Sequence, residues 1–78
     1  MRDKILEVLE NINPIIINYE GSTLLEDGII DSFELIDIVS AIEDELKIEI
    51  NAELVVAENF ANKDTIVKMV EDIILHGI

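Results

Sequence analysis

The residues of this chain with the clearest chemical potential are one serine and its neighbours. Asp31 precedes Ser32 directly, and Glu34 follows two places later in an amphipathic segment. Asp31 is predicted to cap a helix, with Glu34 completing a capping-box-like pair. Ser32 then takes the first helical position, where free backbone N–H groups and the positive end of the helix dipole point outward. This arrangement predicts an anion site, and phosphate is the commonest biological choice for such a site.

The chain offers few of the residues on which catalytic and metal sites depend. It contains no Cys and a single His, His76, close to the C-terminus. Asp27 and Asp31 are a candidate carboxylate pair for acid–base catalysis, but no His or Lys lies nearby in the sequence to complete a catalytic set. The acidic residues do not have the spacing of a calcium-binding loop. We therefore expect neither an enzyme nor a metal site.

Composition and charge narrow the choice of partners. Eighteen acidic against five basic residues give the 78-residue chain a net charge of −13. This balance argues against nucleic acid, whose phosphates need Lys and Arg, and against anionic membranes. It favours proteins with basic patches, because long-range attraction speeds their encounter. The apolar runs are too short to span a membrane, and the sequence has neither Cys nor a signal-peptide pattern, which favours the cytoplasm. We also expect the chain to be a monomer.

Hydrophobic periodicity predicts a small all-α domain over residues 1–78. The chain is 50% hydrophobic but only 4% aromatic, so its core must be aliphatic. The main helices are predicted at residues 3–12, 32–46 and 63–75, with a short helix at residues 52–56. Together they indicate an antiparallel bundle of three main helices and one short helix.

The connection over residues 13–31 is predicted to be an ordered loop with a helical turn near Ser22–Leu25, although the isoleucines at 15–17 are also compatible with a strand. A loop this long in a small domain usually has a function. Its apolar residues are expected to anchor it on the core: Ile15, Ile16, Ile17, Tyr19, Leu24, Leu25, Ile29 and Ile30.

The helix over residues 32–46 carries two distinct apolar groups. Its core stripe is predicted to comprise Leu35, Ile38, Val39, Ile42 and Leu46, and the corresponding stripe of the last helix Ile66, Met69, Val70, Ile73 and Ile74. Phe33 and Ile36 lie off the first stripe by about a quarter to a third of a turn. Beside acidic residues and next to Ser32, they are predicted to form an exposed docking patch.

The segment from Gly28 to Phe33, with Asp31-Ser32 followed by an apolar residue, resembles the attachment site of the acyl carrier and peptidyl carrier proteins. The resemblance extends over roughly residues 3–75, since length, charge and helix layout agree with it. It implies an acyl-carrier-like bundle in which Ser32, beside Asp31, carries a 4′-phosphopantetheine arm. The terminal thiol of that arm would hold an acyl or aminoacyl group as a thioester.

The same resemblance implies the partners. A phosphopantetheinyl transferase, using coenzyme A and magnesium, would load the arm, so the resemblance implies that the chain is a substrate and not an enzyme. An acyl- or aminoacyl-loading ligase and later acyl-transfer enzymes would follow, docking through basic patches. The implied partner-binding residues are Phe33, Glu34, Ile36, Asp37, Ser40 and Asp44.

Two departures favour a specialised carrier over the fatty-acid-synthesis type, which usually reads Leu-Gly-Ala-Asp-Ser-Leu. Here Gly28 lies one place earlier and Ile30 replaces the alanine. The later Glu58-Asn59-Phe60 segment resembles stand-alone aminoacyl carriers, including the D-alanyl carriers of cell-wall teichoic acid modification. A D-alanyl carrier is therefore one alternative. A second, of another class, is an acidic helical adaptor that carries no cargo.

Overall fold

The protein is described by a computed structural model that covers residues 2–77; Met1 and Ile78, the two ends of the predicted domain, lie outside the described residues. It is an all-α bundle, as predicted, and residues 2–77 contain no strand. No helix within that range is long and apolar enough to cross a membrane. The α-helices are α1 (Arg2–Ile12), α2 (Ile15–Asn18), α3 (Ser32–Leu46) and α4 (Lys63–His76).

The first helix, α1, lies at the centre of the packing. It contacts α2, α3 and α4. Ile5, Val8 and Leu9 are buried, in agreement with the predicted amphipathic pattern. The helix ends at Ile12, two residues before Pro14, because the residue before a proline is disfavoured in the helical conformation.

The bounds of α3 agree with the prediction, because both ends have specific stop signals. At its start the Asp31 side chain accepts a hydrogen bond from the Glu34 N–H, and at its end Lys47 adopts a left-handed conformation with φ of 56°. A left-handed residue commonly closes a helix. The core stripe is confirmed: Leu35, Ile38 and Ile42 are buried, and Val39 and Leu46 pack against the core.

The last helix, α4, begins with a complete capping box. Asn62 accepts the Thr65 N–H, and the Thr65 hydroxyl accepts the Asn62 N–H. Its core face is broader than predicted, since Val67 is also buried. Ile74 is 39% exposed, so its assignment to the core is wrong. The shift arises because α4 packs against both α1 and the segment that ends at Phe60.

The start of the long connection is helical, which the sequence did not predict. Residues Ile15–Asn18 form α2, although three consecutive isoleucines favour strands. Pro14 has φ of −57°, a helical value, and the Asn13 side chain accepts the Ile15 N–H at 3.1 Å. Burial of Ile16 then holds the turn against the core, while Ile15 is 60% exposed and does not anchor the loop.

The rest of the connection is ordered as predicted, but its turn is displaced. The turn spans residues 24–28 and not 22–25, with the Asp27 N–H bonded to the Thr23 carbonyl at 3.0 Å. Leu24 and Ile30 are fully or almost fully buried and anchor this stretch on the core. Ile17, Tyr19, Leu25 and Ile29 pack against the same cluster as partly buried residues.

Two short 3₁₀ helices, Ala52–Leu54 and Ala57–Phe60, lie before α4, where a single short helix over residues 52–56 was predicted. Asn51 caps the first by accepting the Glu53 N–H. Phe60 is completely buried, and the second 3₁₀ helix packs against α4. Neither element approaches the length at which isolated helices form, so their packing on the core stabilises them.

Candidate functional site

Ser32 is the first residue of α3, and its side chain is exposed. Asp31 has an extended backbone, and its carboxylate accepts the Glu34 N–H at 2.8 Å. The first helical hydrogen bond runs from the Leu35 N–H to the Asp31 carbonyl at 2.9 Å. The structure therefore places the Ser32 hydroxyl in solvent at the positive end of a 15-residue helix, as predicted.

The backbone before Ser32 is fixed by the turn that ends at Gly28 and by the contacts of the two residues that follow it. Gly28 has φ of 73°, in the left-handed region where other residues are strained, and it ends the turn at residues 24–28. The Ile29 N–H bonds back to the Leu24 carbonyl at 2.9 Å, and Ile30 is buried. The buried Ile30 thus fixes the backbone two residues before Ser32, so that the hydroxyl extends from a backbone of defined position.

A second constraint acts earlier in the loop, at Tyr19 and Asp27. The Tyr19 hydroxyl donates a hydrogen bond to the Asp27 carboxylate. Partial burial and this bond raise the pKa of the Tyr19 phenol to about 12. A side chain at Gly21 would lie closer than van der Waals contact to both groups. Asp27 therefore braces the loop through its hydrogen bond with Tyr19.

Glu34 does not behave as its predicted capping-box role requires. Its carboxylate accepts a hydrogen bond from the Asn13 side-chain nitrogen at 2.6 Å, whereas the box needs it to accept the Asp31 N–H. Asp31 thus caps the helix alone, and the second half of the predicted pair is wrong. Asn13 was not predicted to contribute to this site, although an asparagine before a proline is a recognised turn signal.

The other predicted partner-binding residues form one exposed face of α3. Phe33 is 82% and Ile36 56% exposed, as predicted. Asp37, Ser40 and Asp44 are exposed too, and spacings of three and four residues align them along the helix. We call these five residues the docking face, after the role predicted for them from the sequence. Glu34 differs from them, since it is half-buried and bonded to Asn13.

The electrostatic character of α3 is uniformly negative. The helix contains five acidic residues and no basic residue. The ion pairs found among residues 2–77 lie elsewhere: Arg2 with Asp64 at 2.6 Å, and Lys68 with Asp72 at 3.1 Å. The first pair holds the pKa of the Asp64 carboxyl below its usual value through a hydrogen bond from Arg2. Neither pair neutralises the surface beside Ser32.

This concentration of charge predicts that salt stabilises the fold. A net charge of −13 on 78 residues produces self-repulsion in the compact state. Raising ionic strength from about 0.01 M to about 1 M shortens the Debye length from roughly 30 to 3 Å. We expect the melting temperature to rise by several degrees, and to rise further with magnesium than with sodium chloride of equal ionic strength. Calorimetry in both salts measures the melting temperature. A melting temperature that does not change with salt concentration would contradict the prediction.

Other parts of the surface do not contribute to the Ser32 site. A groove of about 390 Å³ lies between the 3₁₀ segments and α4, floored by Leu54, Met69 and Ile73, and no residue of α3 lines it. Among residues 2–77 no three His, Cys, Asp or Glu side chains are grouped so that they could hold a metal ion. The candidate site is therefore the exposed start of α3 with the docking face beside it.

Comparison with known proteins gives no significant match to a family model, to a curated protein sequence or to a solved structure.

Proposed function

We propose that this chain is a carrier protein that holds an acyl or aminoacyl group as a thioester on a 4′-phosphopantetheine arm attached to Ser32. The observation that carries the proposal is the exposed Ser32 hydroxyl at the start of the capped helix α3. The resemblance of the Gly28–Phe33 segment to carrier proteins supplies the identity of the arm.

The start of α3 suits the linkage that the arm requires. Attachment forms a bond between Ser32 Oγ and the phosphorus that bears the pantetheine arm and breaks the phosphoanhydride P–O bond of coenzyme A. Adenosine 3′,5′-bisphosphate leaves, and the serine hydroxyl proton is released. The product is a phosphodiester with one negative charge. Unpaired N–H groups at the start of a helix and its dipole favour such an anion. Since the chain contains no Cys, the arm would also supply the thiol that holds the cargo.

The role of the chain in this proposal is to present cargo, and its partners carry out the chemistry. A phosphopantetheinyl transferase adds the arm, a ligase loads it, and acyl-transfer enzymes remove the cargo. Such partners would meet the docking face through a basic patch with apolar contacts for Phe33 and Ile36. The exposure of those two side chains next to Ser32 supports this part of the proposal. The proposed setting is the cytoplasm, with the chain as a monomer.

Charge reversal tests the docking face. Asp37→Lys and Asp44→Lys should each slow modification of Ser32 roughly three- to tenfold at low salt, because they weaken attraction to a basic partner. The effect should fade at high salt. Glu7→Lys, at an exposed acid of α1, makes the same charge change on another helix and is the control. Equal slowing by all three variants would assign the effect to net charge alone.

Intact mass spectrometry tests the proposed function directly. The chain is incubated with coenzyme A, magnesium and a phosphopantetheinyl transferase of broad specificity. We expect its mass to rise by one phosphopantetheine arm, and a maleimide reagent then to label the new thiol. A chain that keeps its mass, while a known carrier in the same tube is modified, overturns the proposal.

Two alternatives predict different results. A D-alanyl carrier would gain the arm and would then accept D-alanine from a dedicated ligase in preference to other amino acids or fatty acids. An acidic helical adaptor would never gain the arm. The exposed docking face is compatible with an adaptor, but an adaptor has no need of an exposed serine at the start of α3.

A further inference from the structure

The side chain of Asn13 joins three segments that meet at the start of α3. Its nitrogen donates to the Glu34 carboxylate at 2.6 Å and to the Ile29 carbonyl at 3.2 Å. Its oxygen accepts the Ile15 N–H at 3.1 Å. One half-buried side chain thus connects the start of α2, the segment that leads to Ser32 and the first turn of α3.

These bonds bracket Ser32 in the sequence. Ile29 lies three residues before the serine and Glu34 two residues after it, and Asn13 is bonded to both. The bond to Glu34 is charge-assisted and partly shielded from water, so it is stronger than an ordinary amide bond on the surface. The Glu34 N–H is itself bonded to the Asp31 carboxylate, so Glu34 connects the Asn13 contacts to the helix cap.

We propose that Asn13 and Glu34 are positioning residues that set the orientation of Ser32 for covalent modification, and that Glu34 is not a docking acid. This inference rests on the proposed function. Its physical basis is that group transfer depends steeply on the alignment of the reacting oxygen, so that misplacement by about 1 Å can cost roughly a hundredfold in rate.

Two single substitutions separate positioning from docking, because the two roles predict opposite orders of rate. Asn13→Asp keeps the acceptor for the Ile15 N–H but loses both donated bonds and adds a negative charge. Glu34→Gln keeps an acceptor for Asn13 but removes a charge. Positioning predicts that Asn13→Asp is modified more slowly than Glu34→Gln, by about five- to tenfold. A docking role for Glu34 predicts the reverse, with a difference that disappears at high salt.

The double variant Asn13→Asp/Glu34→Gln provides the rescue. It keeps the net charge of the natural chain and exchanges donor and acceptor, so that the new amide at position 34 can donate to the new carboxylate at position 13. We expect it to recover at least half of the rate lost in Asn13→Asp. The loss should lie in kcat, with KM changed by less than about twofold. Asn11→Asp, at an exposed position of α1, is the matched charge control.

Amide hydrogen exchange tests the same link without any modification reaction. In Asn13→Asp the Glu34 and Leu35 amides should exchange about tenfold faster than in the natural chain, and in Asn11→Asp they should not. If the natural chain is never modified, the proposed function fails while the exchange result still decides whether Asn13 holds the start of α3. Two results would overturn the positioning proposal. One is unchanged amide exchange in Asn13→Asp. The other is a kcat for Asn13→Asp equal to that of Asn11→Asp, measured well below the melting temperatures of both variants.

Discussion

Ser32→Ala should abolish attachment of phosphopantetheine completely, whereas Ser22→Ala and Ser40→Ala should be modified like the natural chain. All three serines are exposed, so exposure alone does not distinguish them. Only Ser32 lies at the start of a helix: Ser22 is in the connection and Ser40 in the middle of α3. Intact mass after incubation with coenzyme A and a transferase measures the outcome for each variant.

The Ser32→Ala variant should remain folded, which makes its failure interpretable. The substitution removes an exposed hydroxyl and leaves the Asp31 cap and the buried Ile30 in place. Exposed substitutions away from such features usually change stability by less than about 0.5 kcal/mol. Circular dichroism and a melting curve provide the control. Modification that persists in folded Ser32→Ala would show that another residue accepts the arm.

Ile42→Ala should destabilise the protein by about 2–5 kcal/mol, while Ile36→Ala should cost much less. The two isoleucines lie on the same helix, six residues apart, so local helix propensity contributes equally to both substitutions. Ile42 is completely buried in the core, whereas Ile36 is 56% exposed on the docking face. Truncation of a buried side chain leaves a cavity, and truncation of an exposed one does not.

Denaturant unfolding of both variants measures this difference. For a small domain, a loss of 2–5 kcal/mol is a large part of a total stability of about 5–15 kcal/mol, so Ile42→Ala should unfold at a much lower denaturant concentration. Under the proposed function Ile36→Ala should in addition slow modification or loading, although its stability hardly changes. Equal and large losses in both variants would show that Ile36 belongs to the core and that the docking face is assigned wrongly.

The helical parts of the fold were predictable because their signals are local. Asp31 and Asn62 are good capping residues, and each immediately precedes a clear helical pattern; α3 begins and ends where predicted, and α4 begins there and ends one residue later. The exposure of Phe33 and Ile36 followed from helical phase, because Leu35, Ile38 and Ile42 already supply an apolar residue at each turn. Neither inference needed knowledge of distant contacts.

The short elements were less predictable, because their stability comes from packing. Three isoleucines at residues 15–17 have intrinsic preferences for strands, yet Pro14 and the burial of Ile16 make this stretch helical. Periodicity predicted Ile74 in the core, but the elements that pack against α4 bury Val67 and leave Ile74 exposed. Such outcomes depend on which elements meet, and a linear pattern does not contain that information.

The sequence alone determined the position of Ser32 at a helix start, the aliphatic core and the net charge of −13, since each depends on adjacent residues or on composition. The tertiary structure decided the role of Glu34. A glutamate three places after a capping aspartate reads as the second half of a capping box. Its carboxylate instead bonds to Asn13, 21 residues away, because folding brings the end of α1 against the start of α3. A hydrogen bond between residues so far apart in the chain exists only after the helices have packed, and for that reason no local pattern predicts it.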